Sequence, residues 1–477
     1  MPPLPVDVFF DTAVGLNARL RKREFSAREL ATAFCDRIAK LAPRYNALAL
    51  LLRGLALRKA ALVDAELKRE RFRGPLQGVP YGAKDLLSAA GFPTTWGAAP
   101  FRDQVFVEDA AAIHKLAGSG ALLCAKLAMV ELAGAGGYRF ASASLTGPGL
   151  NPWDPTRWSG GSSSGSATAV AAGLVPFALG SETWGSIAVP CAFCGVTGLR
   201  PTYGLVSRAG AMALAWTMDK IGPIAHTAED CGHVLQAIAG ADDSDPGSAG
   251  RGFHFVPQLG PPLSGMKAGF ASADIESSSD AALRPALRDA LAVFRDIGFQ
   301  LQETQLPDYP YEALGEVIVG AEGATVFADL IESGAVEQLA DRRQISALQA
   351  ALETSARDYL QAMRLRRLMQ GSISRLFTKF DVLITPTCFS VASKITEPLD
   401  GPDSPLPARS GRALRDLSAA GNLAGLPALF LPCGFADGLP VGISLVGKPF
   451  SENLLLRAGL EFQRRTNWHE RRPAIQY

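Results

Sequence analysis

Between Trp158 and Gly204 the chain reads WSGGSSSGSATAVAAGLVPFALGSETWGSIAVPCAFCGVTGLRPTYG, a stretch in which small side chains and hydroxyls dominate throughout. No other feature restricts the fold as much. A packed core has no use for so many serines. A Gly/Ser linker would not continue as this segment does, with a helical pattern over Ala167–Gly173 and an apolar strand pattern over Leu174–Leu179. Glycines let backbone approach a ligand closely and adopt left-handed turns, and successive N–H groups in such turns can hold a developing oxyanion. The segment has the composition of a reaction centre set inside a fold.

Around it, helix and strand patterns alternate. Ser26-Ala-Arg-Glu29 predicts a capping box, after which Leu30, Phe34, Ile38 and Leu41 recur at helical spacing until Pro43. Further helices are expected at Arg58–Glu70, Ala110–Ala117, Ala281–Ile297 and through most of Glu316–Gln370. Strands are expected at Ala121–Ala125, Met266–Phe270, Phe299–Glu303, Val382–Thr385, Ala428–Pro432 and Val441–Val446. The segment GPLQGVPYGAKDLL, residues 74–87, is turn-rich and reads as irregular. Such alternation implies an α/β sheet, and we expect one large domain over residues 1–477 with residues 158–204 as its core. Thr396–Arg412, rich in Pro, Gly and Asp, reads as a long surface loop.

Composition excludes several classes of function. With 48% hydrophobic and 19% charged residues the chain is no disordered protein, and Lys+Arg 47 against Asp+Glu 46 gives no electrostatic case for nucleic acid or an acidic membrane. Arg364, Arg366 and Arg367 lack interleaved aromatics and read as a solvated face. The apolar stretches Ala47–Leu52 and Ala167–Leu179 are shorter than the roughly 20 residues of a spanning helix. Seven scattered cysteines do not form a disulfide framework, and Cys191-x-x-Cys194 has no second pair to complete a zinc site, so no metal or other cofactor is expected. The N-terminus carries its prolines first and its basic residues late, unlike an export signal, and a cytoplasmic location follows as the expectation.

A serine nucleophile needs a base. None of the five histidines, 114, 226, 233, 254 and 469, sits in a motif. Gly161–Gly165 matches the G-x-S-x-G elbow with Ser163 central, but that elbow follows a strand and the preceding NPWDPTRWSG, with two prolines, is none. Lysine is the other base available if burial leaves it neutral, and Lys84 in the apolar GVPYGAKDLL turn is the candidate.

These residues resemble the amidase signature enzymes. GPLQGVPYGAKDLL with GFPTTWG is similar to the family's lysine segment, GGSSSGSATAV with GSETWGSIAVPCAFCGVTGLRPTYG to its serine signature, and GNLAGLPALFLPCGF with GLPVGISLVGKPF to its C-terminal segment. The resemblance implies a mixed central sheet flanked by helices on both faces, and a Ser–cis-Ser–Lys triad. By position, Lys84 falls on the lysine, Ser162 on the serine with the cis peptide, and Ser186 on the nucleophile. It further implies that Ser162 relays the proton of Ser186 to Lys84, since one hydroxyl can donate and accept at once, and that the backbone N–H groups of Thr183, Trp184, Gly185 and Ser186 form an oxyanion hole.

Two departures bear on substrate. The family has glycine where Trp184 stands and arginine where Ala188 stands. Trp184, Ile187, and Gly136 and Tyr138 of the AGAGGYRF stretch would put apolar groups near the reacting carbonyl, which predicts fairly apolar, aryl-bearing amides, with carbamates (urethanes) or esters as secondary substrates. The expected partner is thus a small-molecule amide, with neither nucleic acid nor membrane, and self-association into a homodimer left open. The alternative is the glutamine-hydrolysing catalytic component of a tRNA-dependent amidotransferase. In that branch an acidic residue seven places before Asn422 grips the glutamine amine; here that place holds Arg415, with Asp416 one out of register.

Overall fold

In the computed structural model, which describes residues 4–399 and 413–475, eleven strands form one sheet. In chain order they are β1 (Leu48–Leu51), β2 (Pro80–Lys84), β3 (Leu122–Leu127), β4 (Phe177–Glu182), β5 (Thr197–Arg200), β6 (Lys220–Ala225), β7 (Lys267–Phe270), β8 (Gln300–Glu303), β9 (Val382–Pro386), β10 (Ala428–Ala436) and β11 (Leu439–Gly447). Across the sheet they run β1-β3-β2-β4-β6-β5-β10-β11-β9-β7-β8. Pairing is parallel at β3-β2-β4 and at β9-β7-β8 and antiparallel elsewhere, so the sheet is mixed. Most of β2, β3, β4, β6 and β9 to β11 is buried, which is why these strands read as apolar runs without alternation.

The expected helices are present with shifted ends. Ser26 accepts from the Glu29 N–H, and Glu29 from the Ser26 N–H, opening the helix Ala27–Leu41. Others run Arg53–Lys68, Ala111–Gly118, Ser164–Ala171 and Arg284–Ile297. The 316–370 region resolves into the helices Tyr311–Val326, Ala328–Glu332, Arg342–Ala351 and Ala356–Leu376. The strand expected at Leu174–Leu179 starts three residues later, because Pro176 has no N–H to give a ladder.

Two expectations are corrected. Residues 80–84 are a fully buried strand, not an irregular turn: Pro80 opens it, and Gly82 leaves room for Leu127, whose Cδ1 would lie 2.4 Å from a Cβ there. Arg366 is no surface arginine. Its guanidinium is buried and donates to the carbonyls of Thr217 and Leu423 and to Thr217 Oγ1. Strands β1, β5 and β6 had no counterpart in the sequence patterns. From residue 400 on, the loop expected at Thr396–Arg412 lies outside the described residues.

Candidate active site

Because β2 and β4 are parallel neighbours, with Tyr81 opposite Phe177 and Ala83 opposite Leu179, their C-terminal ends reach the same edge of the sheet. Lys84 ends β2 there, and Ser181 and Glu182 end β4. The loop from Ser159 to Ser163 arrives beside them and starts the helix Ser164–Ala171. That helix comes very close to its neighbours at Gly165, where a Cβ would stand 2.5 Å from the Ala47 carbonyl oxygen and 2.6 Å from the Ala128 nitrogen. The spacing explains the run of small residues: any larger side chain would push the helix, and Ser162 with it, off the sheet.

Lys84 Nζ hydrogen-bonds Ser162 Oγ at 2.7 Å and Ser181 Oγ at 2.9 Å. The Gly161–Ser162 peptide is cis. Lys84 has no solvent exposure, and burial brings its amine down to about 7, against the weaker opposing pull of Asp219 and Glu182. An amine near 7 holds and releases a proton at neutral pH, as a base must. Ser186 follows β4 on the next turn, 8% exposed, on the wall of a cavity of about 1500 Å³. Its carbonyl accepts from the Ser163 N–H at 3.2 Å, which ties the two serine segments together.

The turn Thr183–Ser186 is braced from both ends. Glu182 accepts from the Ile187 and Ala188 N–H groups at 2.8 and 3.0 Å, from Arg200 Nη1 at 2.7 Å and from Asn422 Nδ2 at 2.9 Å. Burial alone would raise its pKa, but Arg200 and these donors outweigh it and hold the carboxyl at about 2. Gly185 has φ +84°, a left-handed conformation that L side chains rarely adopt. Trp184 needs no such conformation: it lines the cavity with its ring laid on Gly315, where a Cβ would meet Cζ3 at 2.5 Å.

Of the other expected residues, Gly136 (φ +76°) and Tyr138 line the same cavity, and a Cβ on Gly161 would come within 3.0 Å of the Tyr138 hydroxyl. Glu131 and Asp341 strap this loop to residues 339–345 through the N–H groups of Ala340, Asp341, Arg139 and Phe140. Ile187 is a correction. It is fully buried and packs toward Gly198 and Gly222 beneath the turn, away from the cavity, at the position that opens the helix Ala188–Cys194. Ser163 also points away, its hydroxyl 3.2 Å from the Ser181 carbonyl oxygen, which removes the elbow geometry. Ser181 went unnoticed in the sequence, where nothing separates it from its many neighbouring hydroxyls. Arg415 and Asp416 both reach the cavity wall, so it carries charge as well as apolar surface.

The family model named Amidase matches residues 29–456. The chain belongs to the amidase family. This amidase is 36% identical to the A component of the glutamyl-tRNA(Gln) amidotransferase of Moorella thermoacetica, over 98% of this chain and 99% of that one. It is 29% identical to the native peptide amidase of Stenotrophomonas maltophilia, with a TM-score of 0.84 over 97% of this chain and 98% of that one. A bacterial aryl acylamidase of the amidase signature family superposes with a TM-score of 0.87 over 99% of this chain and 100% of that one, at 22% identity, a likeness of fold alone. Its large mixed sheet is the architecture these relatives share, and the family acts on amide C–N bonds. Among the described residues, no helix is long and apolar enough to cross a membrane.

Proposed function

We propose that this amidase cleaves its amide through an acyl-enzyme on Ser186, with Ser162 and Lys84 as the proton relay. Neutral Lys84 takes the Ser162 proton as Ser162 takes that of Ser186, whose Oγ bonds to the carbonyl carbon. The carbonyl π electrons move to oxygen, where the N–H groups of Thr183, Trp184, Gly185 and Ser186 hold the charge. Collapse breaks the C–N bond, the amine leaves with the relayed proton, and water repeats the sequence on the ester. The 2.7 Å approach of the buried Lys84 amine to Ser162 Oγ carries this reading.

For the substrate, we favour fairly apolar, aryl-bearing amides, with carbamates or esters as secondary substrates, on the support of Trp184, Tyr138, Val189 and Phe389 around Ser186 in the cavity. Action as a free-standing chain, with one amidase domain over residues 1–477 and a cytoplasmic location, belongs to the same reading. A second reading, the glutamine-hydrolysing component of a tRNA-dependent amidotransferase, has specific support. Relatives 34 to 36% identical along nearly their whole length are the A components of glutamyl-tRNA(Gln) amidotransferases, and Asp416 stands half-buried on the cavity wall with Arg415 beside it. The relatives back this second reading more strongly than the first.

The discriminating experiment compares kcat/KM of the purified chain for an anilide, a small aliphatic amide and glutamine, in wild type and Trp184→Gly. The aryl reading expects the anilide preferred and that preference lost in the variant. Preference for glutamine, or selectivity unchanged by the substitution, would overturn it.

A further inference from the structure

Next to the reaction centre lies a second, smaller cavity of about 230 Å³, lined on one side by Ser181 and Thr183 and on the other by the 208–221 segment. Asp219 projects at its wall, immediately before β6. One carboxylate oxygen accepts from Thr183 Oγ1 at 2.5 Å, and the other from the Leu214 and Ala215 N–H groups at 2.8 and 3.0 Å. The carboxylate is thus fixed from its own loop and grips Thr183, the first residue of the turn that carries the nucleophile. No step of the proposed reaction uses it directly.

Its electrostatic surroundings are equally specific. Lys84 faces two acidic groups, Asp219 and Glu182, and both favour its charged form. Glu182 is already occupied by Arg200 and Asn422. Asp219 in turn faces Lys220, whose amine donates to the Met218 carbonyl, and Arg208, which is held in an ion pair by Asp245. Burial pushes Asp219 above the usual carboxylate range, while the Thr183 hydroxyl, the two N–H groups and Lys220 pull the other way.

We propose that Asp219 is a positioning residue for the reaction centre: its carboxylate fixes the Thr183 end of the oxyanion turn and presents a negative charge to the Lys84 amine. This rests on the reading of Lys84 as the base. A single carboxylate then links the two halves of the machinery, the donors that meet the oxyanion and the group that takes the proton. Losing its charge and losing its grip on Thr183 should have separable kinetic signatures.

The test uses Asp219→Asn, Thr183→Val and Thr183→Ser in the full chain, with kcat and KM measured from pH 5 to 10. Asp219→Asn removes a charge that favours protonated Lys84, so the acid limb of kcat/KM should move down by ~1 pH unit. Thr183→Val keeps that charge but cuts the grip: kcat should fall about tenfold, with KM and the limb little changed, and Ser should recover kcat relative to Val. An unmoved limb in Asp219→Asn, or equal rates in the Val and Ser variants, overturns the proposal. If Asp219→Asn does not fold, the Val and Ser comparison decides alone. Failure of the underlying reading looks different: Lys84→Ala would then retain turnover, and none of the limbs could belong to the lysine.

Discussion

Lys84 should cost this protein stability, and replacing it by methionine should show how much. An amine that ordinarily titrates near 10.5 but sits at about 7 in the folded chain makes the unfolded chain the better proton binder between those values. Stability therefore rises with pH through that window; the cost is fully present below about 7 and gone above about 10.5. A gap of 10.5 − 7 = 3.5 units, at about 1.36 kcal/mol each, amounts to ~5 kcal/mol at its largest. Methionine has a similar unbranched shape and relieves that cost, but it leaves the Ser162 and Ser181 hydroxyls without their amine partner, at about 1 kcal/mol or somewhat more each. The net is a variant more stable by ~2 kcal/mol near pH 7. A chain of 477 residues has an unfolding entropy of about 1 kcal/mol per kelvin, which makes the expected rise in Tm ~2 °C. The assay is a series of thermal melts by circular dichroism at pH 7, 8 and 9, with amidase turnover measured in parallel. Turnover should vanish in Lys84→Met, and the Tm advantage should shrink by about 1.4 °C per pH unit and then change sign. A Tm difference independent of pH, or one that widens as pH rises, would refute the argument.

The same amine gives kcat/KM of the wild type an acid limb near pH 7, with activity rising roughly tenfold per unit below it; a limb near 10 in the pH profile would contradict a buried base. A serine-reactive phosphonate should modify Ser186, and an adduct located by mass spectrometry on Ser163 would instead restore the elbow mechanism. Ser181→Ala removes one of the two hydroxyls at Lys84 Nζ and should lower kcat about tenfold with KM nearly unchanged, as steady-state kinetics would show. Glu182→Gln breaks a fully buried pair with Arg200 and should cost about 3 to 5 kcal/mol in urea denaturation; a loss below about 1 kcal/mol would mean the turn is held by other contacts.

What could be read from the sequence followed from where periodicity survives burial. The helices Ala27–Leu41 and Arg284–Ile297 have one wet face, so their apolar stripes and end signals were visible. Strand β2 has none: all five of its residues are buried, two are Pro and Gly, and its pattern is that of a turn. The hairpin of β10 and β11 does carry a local signal, Asp437-Gly438 with φ of 52° and 77°, but its length exceeded the apolar runs that suggested it. At the site, the positions of Lys84, Ser162 and Ser186 were legible through the family motifs. The direction of Ile187 was not, because chain neighbours on a tight turn need not point the same way. Asp219 and Ser181 belong to the site only through three-dimensional pairing, Ser181 across from Ile221 and Glu182 from Lys220, which no spacing along the chain reveals.

The sheet order gives late-made residues a say over the middle of the chain. Strand β10 lies beside β5, and with it come Asn422, which donates to Glu182, and the Leu426 carbonyl, which accepts from Arg200 Nε at 3.0 Å. On the ribosome, residues 84, 162 and 186 emerge long before these partners do. A chain ending before them would hold all three of these residues yet lack the Asn422 and Leu426 partners of the Glu182 and Arg200 pair. The turn Thr183–Ser186 therefore gains its full set of braces only when β10 has joined the sheet beside β5.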